Sequence, residues 1–160
     1  MRGMRMRKTV WIAVVAVALG VASSASAMTA TLGEPNLVGK VALDVPITVT
    51  CDPPSFGLEM FFQTVSVVVE QAAGKQIARG SAAIANSYPQ LLFPCNGTAV
   101  ALSVPVLADA TGPPFHGGKA VVRVTLTAEA GVPLPCCPGS YMSPFERQTA
   151  VVGPAEVRLR

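Results

Sequence analysis

The sequence is poor in several things at once. Only 13% of its residues are charged, it has one histidine and one tryptophan, and no apolar run long enough for a bilayer. The longest apolar run, Val10 to Val21, has 12 residues, whereas a spanning helix needs about 20. No acidic residue precedes Glu34, while Arg2, Arg5, Arg7 and Lys8 lead into that run and Ala25-Ser26-Ala27 follows it. A basic head, a short apolar stretch and a small-x-small site are the parts of a secretory signal peptide, expected over residues 1–27. Removing it takes four of the twelve basic residues and none of the nine acidic ones, leaving a net charge of −1. The apparent basicity belongs to the leader. A basic patch for nucleic acid or a membrane surface therefore has no basis, and no stable membrane anchor is expected after cleavage.

Catalytic patterns are missing too. There is no glycine-rich phosphate loop, HExxH or EF-hand pattern, and the segment around His116 has no G-x-S-x-G elbow. A Ser–His–Asp arrangement would have to use that one histidine. The nine carboxylates are scattered, and no two fall together as a pair for general acid and base work. The expectation is a protein that is not an enzyme and carries no cofactor.

What is present is a run of short strands. Val45, Ile47, Val49 and Cys51 alternate with Thr48 and Thr50, and Asp52-Pro53-Pro54-Ser55 stops them. Phe61, Val65, Val67 and Val69 share a face opposite Thr64, Ser66 and Glu70, with Phe61 and Phe62 on opposite faces. Ile77 to Ile84 is a weaker strand of small residues, and Gln90 to Cys95 is a segment in which Pro94 argues for an edge or a bulge. Asn96-Gly97 reads as a hairpin turn rather than a glycosylation site, leading to Val100, Leu102, Val104 and Val106. Ala120, Val122, Val124 and Leu126 form the next apolar face. From Glu129 the pattern dissolves into prolines, glycines and Cys136-Cys137, so residues 129–146 are expected as an irregular exposed loop before one or two closing strands. Residues 28–36 are small and polar and are expected as a flexible leader. Seven or eight strands, turn signals every 8–14 residues and no βαβ spacing predict one all-β domain over 37–160, an antiparallel sandwich.

All four cysteines lie after the leader, and an even count in an exported chain reads first as disulfides. Three connectivities are open. Cys51 and Cys95, each near a predicted strand end, suit a structural cross-link. Cys136 and Cys137 allow a vicinal disulfide, bonds elsewhere, or a redox or soft-metal role, although zinc spacing and further ligands are missing. Phe115, His116, Tyr141 and Phe145 fall in predicted loops and are candidates for a binding surface at one end of the sandwich.

The stretch Pro46-Ile47-Thr48-Val49-Thr50-Cys51, the strand Val65–Val69, the segment ending at Cys95, and Pro114-Phe115-His116-Gly117-Gly118-Lys119-Ala120 leading into Val124-Thr125-Leu126-Thr127-Ala128 carry a resemblance. Over about residues 40–128 the chain resembles small exported immunoglobulin-like proteins of high-GC Gram-positive bacteria. The resemblance implies an immunoglobulin-like fold and an extracellular or cell-wall location, not an activity. The expected function is a secreted, non-catalytic binding or structural module for an unidentified protein or cell-envelope partner. The alternatives are a carrier of small apolar ligands, in a cleft between the 112–118 and 129–146 loops, and a thiol redox or metal-binding protein built on Cys136-Cys137.

Overall fold

The computed structural model describes residues 27–39 and 41–160, so nearly all of the expected signal peptide lies outside the described residues. Eight antiparallel strands make up the domain, with no helix among the described residues: β1 (Met28–Leu32), β2 (Asn36–Val38), β3 (Ala42–Cys51), β4 (Glu59–Ala73), β5 (Gln76–Ser87), β6 (Ala99–Ala108), β7 (Gly118–Pro133) and β8 (Tyr141–Leu159). The pairing order is β1-β3-β6-β5-β4-β7-β8, with β2 also on β3. Two halves meet in this order. β1, β2, β3 and β6 form one layer, and β5, β4, β7 and β8 form the other. They join where Gly80 and Ser81 of β5 pair with Ala108 and Leu107 of β6. A side chain on Gly80 would press into the Leu107 carbonyl and the Phe115 ring, so the corner requires glycine. On the opposite side β1 runs beside β8, and the Leu37 amide donates to the Arg160 carbonyl at 2.7 Å, giving a barrel-like closure. In the lettering of immunoglobulin domains this is A-B-E against C′-C-F-G, the expected sandwich.

The inward faces follow from the period of two. Leu43, Val45, Ile47 and Val49 of β3, Val65, Val67 and Val69 of β4, and Val122, Val124 and Leu126 of β7 are all essentially buried. Each such side chain contributes about 1.5–3 kcal/mol of burial. Proline positions shape the layers as well. Pro46 in β3 turns its missing donor toward the break between β1 and β2, where the Gly33 amide donates to its carbonyl at 2.9 Å.

Three expectations are corrected. Residues 28–36, expected as a loose leader, include β1, whose five residues pair in register with Ile47–Cys51. Backbone pairing and one apolar face hold this strand, with Met28 buried and Ala30 and Leu32 half-buried against the core. The segment Gln90 to Cys95 is a connection, not a strand, and Asn96-Gly97 is an Asx turn into β6, with the Thr98 amide on Asn96 Oδ1 at 3.0 Å. The irregular loop is 134–140 rather than 129–146. Residues 129–133 and 141–146 belong to β7 and β8, because Pro133 sits at the ladder's last rung and the irregularity between Ala130 and Val132 is taken up on β8, where Ser143, Pro144 and Phe145 stand opposite Gly131 alone.

The core is closed at both ends by the same device. Gln63 and Gln71 lie on the inward face of β4, flanking Val65, Val67 and Val69, and both are buried. Gln63 Nε2 donates to the Phe93 carbonyl at 2.8 Å, and Gln63 Oε1 accepts the Phe93 amide at 3.0 Å. Gln71 Nε2 donates to the His116 carbonyl at 2.6 Å, and Gln71 Oε1 accepts the His116 amide at 2.9 Å. A side-chain amide here stands in for a neighbouring strand. Each clamp fixes a loop that drops a phenylalanine into the core, Phe93 at one end and Phe115 at the other. No buried side-chain nitrogen or oxygen among the described residues lacks a partner.

Replacing either glutamine by leucine leaves one backbone donor and one acceptor unpaired under a lid. Each such group costs about 1–3 kcal/mol. Urea unfolding should show a loss of that order for Gln63→Leu and for Gln71→Leu, but almost none for the exposed Gln76→Leu. Equal effects at all three positions would contradict the clamp.

Candidate functional site

Strand parity decides which loops share an end. The β3–β4, β5–β6 and β7–β8 connections (52–58, 88–98 and 134–140) lie together, and the β4–β5 and β6–β7 connections lie at the other end. The four candidate residues are therefore not one surface. Phe115 is in the core at 1% exposure, because it is the plug of the far end. His116 is exposed at that same end, its backbone clamped by Gln71, with Nδ1 2.9 Å from the Gly117 carbonyl and Nε2 3.2 Å from that of Ala72. Tyr141 and Phe145 stand at the opposite end. The cleft expected between the 112–118 and 129–146 loops does not exist, since those loops are at opposite ends. An apolar depression lined by Leu37, Ala73, Pro113, Pro114 and His116 lies at the far end alone.

Tyr141 and Phe145 have a partner that the sequence pattern had placed elsewhere. The β4–β7 register shifts between Met60 and Phe62. This bulge keeps Met60 and Gln63 inward and turns Phe61 out of the valine face it was expected to join. Phe61 stacks on Tyr141 with centroids 4.6 Å apart and planes 22° apart, and meets Phe145 at 5.8 Å and 56°. Phe145 lies over Gly131, where a Cβ would come within 2.9 Å of its ring. Phe145 is nonetheless 59% exposed, and Phe56, on the neighbouring 52–58 connection, is fully exposed. An ion pair between Arg147 and Glu129 borders the cluster. Burial, with help from Glu59 and Tyr88, pushes the Tyr141 phenol above its ordinary pKa.

This end is tied together covalently and by hydrogen bonds. Cys51 at the end of β3 is bonded to Cys95 in the 88–98 connection, so the cross-link joins a strand end to a loop. The Gly97 amide donates to the Cys51 carbonyl at 2.9 Å, and Gln63 Nε2 lies 3.6 Å from Cys95 Sγ. Buried Gln148 donates to the Asp52 carbonyl at 3.1 Å, and the Ser55 amide donates to Glu146 at 3.0 Å. Both fix the 52–58 connection to β8.

Cys136 and Cys137 sit at the hairpin tip between two turns, closed by Cys137 N–H to the Leu134 carbonyl at 3.2 Å and Ser140 N–H to the Cys137 carbonyl at 3.0 Å. They are exposed free thiols with Sγ atoms 2.9 Å apart. The contact with Cys136 raises the Cys137 pKa, with burial adding to it. An attacking thiolate needs the opposite shift. Among the described residues no three of His, Cys, Asp and Glu gather in a way that would hold a metal ion.

No family model, curated protein or solved structure matches this chain.

Sequence reasoning did not single out Gln63, Gln71 or Gln148. The signal was there in Gln63-x-Val65-x-Val67-x-Val69-x-Gln71, since a polar group on an apolar face must find a partner.

The two cysteine pairs have separate expected behaviours. Brief alkylation of the folded protein should label Cys136 and Cys137 and spare Cys51 and Cys95. Cys51→Ala should cost about 2–5 kcal/mol of stability, as for a native disulfide of a small secreted domain. The Cys136→Ser/Cys137→Ser double variant should melt close to the parent. Labelling of Cys51 in the folded protein, or collapse of the double variant, would overturn this division.

Proposed function

We propose that the chain is a non-catalytic binding module that works outside the cell and engages a protein or cell-envelope partner through the aromatic end of the sandwich. The observation that carries this is the Phe61–Tyr141–Phe145 cluster, left partly exposed on strands rather than on free loops, with Phe56 projecting beside it. Aromatic side chains bring large contact area at low ordering cost, and they are enriched where binding energy concentrates. The base beneath them is stiff: the disulfide, the Gln63 clamp and the Gln148 bond all hold this end. A rigid support with exposed aromatics needs no large rearrangement to bind.

Export is supported by the leader pattern and by the Cys51–Cys95 disulfide, which suits an oxidising compartment. The resemblance to exported immunoglobulin-like proteins of high-GC Gram-positive bacteria points the same way. A carrier of small apolar ligands would use the depression beside Pro113 and Pro114 at the far end. The two readings thus place the functional residues at opposite ends.

The test is capture from the producer's surface and secreted fractions by the parent protein and by two variants of matched melting temperature. Phe56→Ala/Phe145→Ala should lose the captured partner by at least tenfold in affinity, while His116→Ala retains it. Loss with His116→Ala and retention by the double variant would move the function to the far end.

A further inference from the structure

Beyond Ser81, no strand among the described residues pairs with the outer edge of β5. β5 pairs with β4 along its whole length, but with β6 only at Gly80 and Ser81. Pro105 explains the stop. The β5–β6 register brings Ala83 opposite Pro105, and the Asp109 amide on the Arg79 carbonyl at 2.8 Å shows that odd-numbered β5 residues point their backbone groups this way. Continuing the ladder would need an amide hydrogen from residue 105, and proline has none. β5 therefore leaves β6 and stays on β4.

What remains is a ready edge. In an antiparallel ladder, alternate residues turn both backbone groups to the same side. The Tyr88 amide donates to the Phe61 carbonyl at 2.9 Å, so even-numbered residues face β4 and odd-numbered ones face out. Among the described residues, no backbone bond reaches the amides of Ala83, Ala85 and Ser87 or the carbonyls of Ala83 and Ala85 on this edge. The Ser87 carbonyl accepts the Gln90 amide at 3.0 Å. Exposed edges of this kind are ordinarily guarded by charge, proline or extreme shortness. β8, at the sheet's other side, carries Pro144, Glu146, Arg147, Pro154, Glu156 and Arg158. β5 from Gly80 to Ser87 reads Gly-Ser-Ala-Ala-Ile-Ala-Asn-Ser, without a charge or a proline.

We infer that the β5 edge is a self-association surface, and that its occupant is the same edge of a second copy of this chain. Antiparallel pairing about a two-fold axis at Ala85 sets Ala85 against its own copy and Ala83 against the partner's Ser87. Ala85 then exchanges both backbone bonds with its copy, and the Ser87 amide reaches the partner's Ala83 carbonyl. Like charges facing each other disfavour such a pairing, and this strand has none to oppose. The alanines facing outward at 83 and 85 are small enough not to block approach of the second strand. An isologous contact of this kind closes at two copies, because each copy offers the edge once. The pairing joins two four-stranded layers into one continuous sheet.

The experiment is sedimentation equilibrium on the purified chain up to about 1 mM, the weakest association worth testing. The parent should show a reversible monomer–dimer equilibrium. Ala85→Lys and Ala85→Glu, both at an exposed position, should each weaken it at least tenfold with unchanged melting. An equimolar mixture of the two should restore it, since lysine then faces glutamate across the axis. A monomer at every concentration, a dimer indifferent to both substitutions, a mixture that stays monomeric, or open-ended polymers would each overturn the proposal.

Discussion

Two glutamine side chains acting as strands hold this molecule closed. A sandwich built largely from valine and alanine, with no helix among the described residues to cover its ends, must close them with connecting loops. Loops bring backbone amides and carbonyls with them, and burying those groups without partners is costly. Gln63 and Gln71 solve the problem from one strand, eight residues apart, each meeting both backbone groups of one loop residue. The valines between them fill the core, and Phe93 and Phe115 finish it.

The disulfide belongs to the same arrangement. It does not join the two layers, as the inter-sheet bond of antibody domains does. It fastens the 88–98 lid to the end of β3 through Cys95, two residues beyond Phe93, which Gln63 clamps. One end of the sandwich is thus held by a clamp and a covalent bond, and the other by a clamp alone. The exposed aromatics sit at the doubly held end. Rigidity under a binding surface reduces the ordering cost of association, which gives this asymmetry a functional sense.

The central strands were legible because their valines alternate with threonines, serines and charged residues in strict period. β1 was readable in principle, since Met28, Ala30 and Leu32 share one face opposite Thr29 and Thr31 and pack on the core, but so short an alternation does not stand out from the small residues around it. The β7–β8 hairpin was hidden by its prolines and glycine. Gly131 there does not break the strand but makes room for Phe145, and Pro133 falls on the last rung. Phe61 was assigned to the wrong face because a bulge leaves no mark in the alternation it interrupts. The separation of Phe115 from Tyr141, by contrast, was readable in principle. Consecutive connections in an antiparallel meander lie at opposite ends, so the 109–117 and 134–140 loops could not have formed one surface. The buried glutamines were readable on the same terms, as polar residues in an inward register.

The most direct measurement of the account is amide hydrogen exchange at Phe93 and His116. Both lie in loops, where amides ordinarily exchange through local fluctuations far below the global unfolding free energy. Held by Gln63 and Gln71, they should exchange as slowly as the amides of Val65 and Val67 in β4, and far more slowly than their loop neighbours Leu92 and Gly117. Fast exchange at Phe93 and His116, indistinguishable from those neighbours, would contradict the claim that the glutamine clamps close the core.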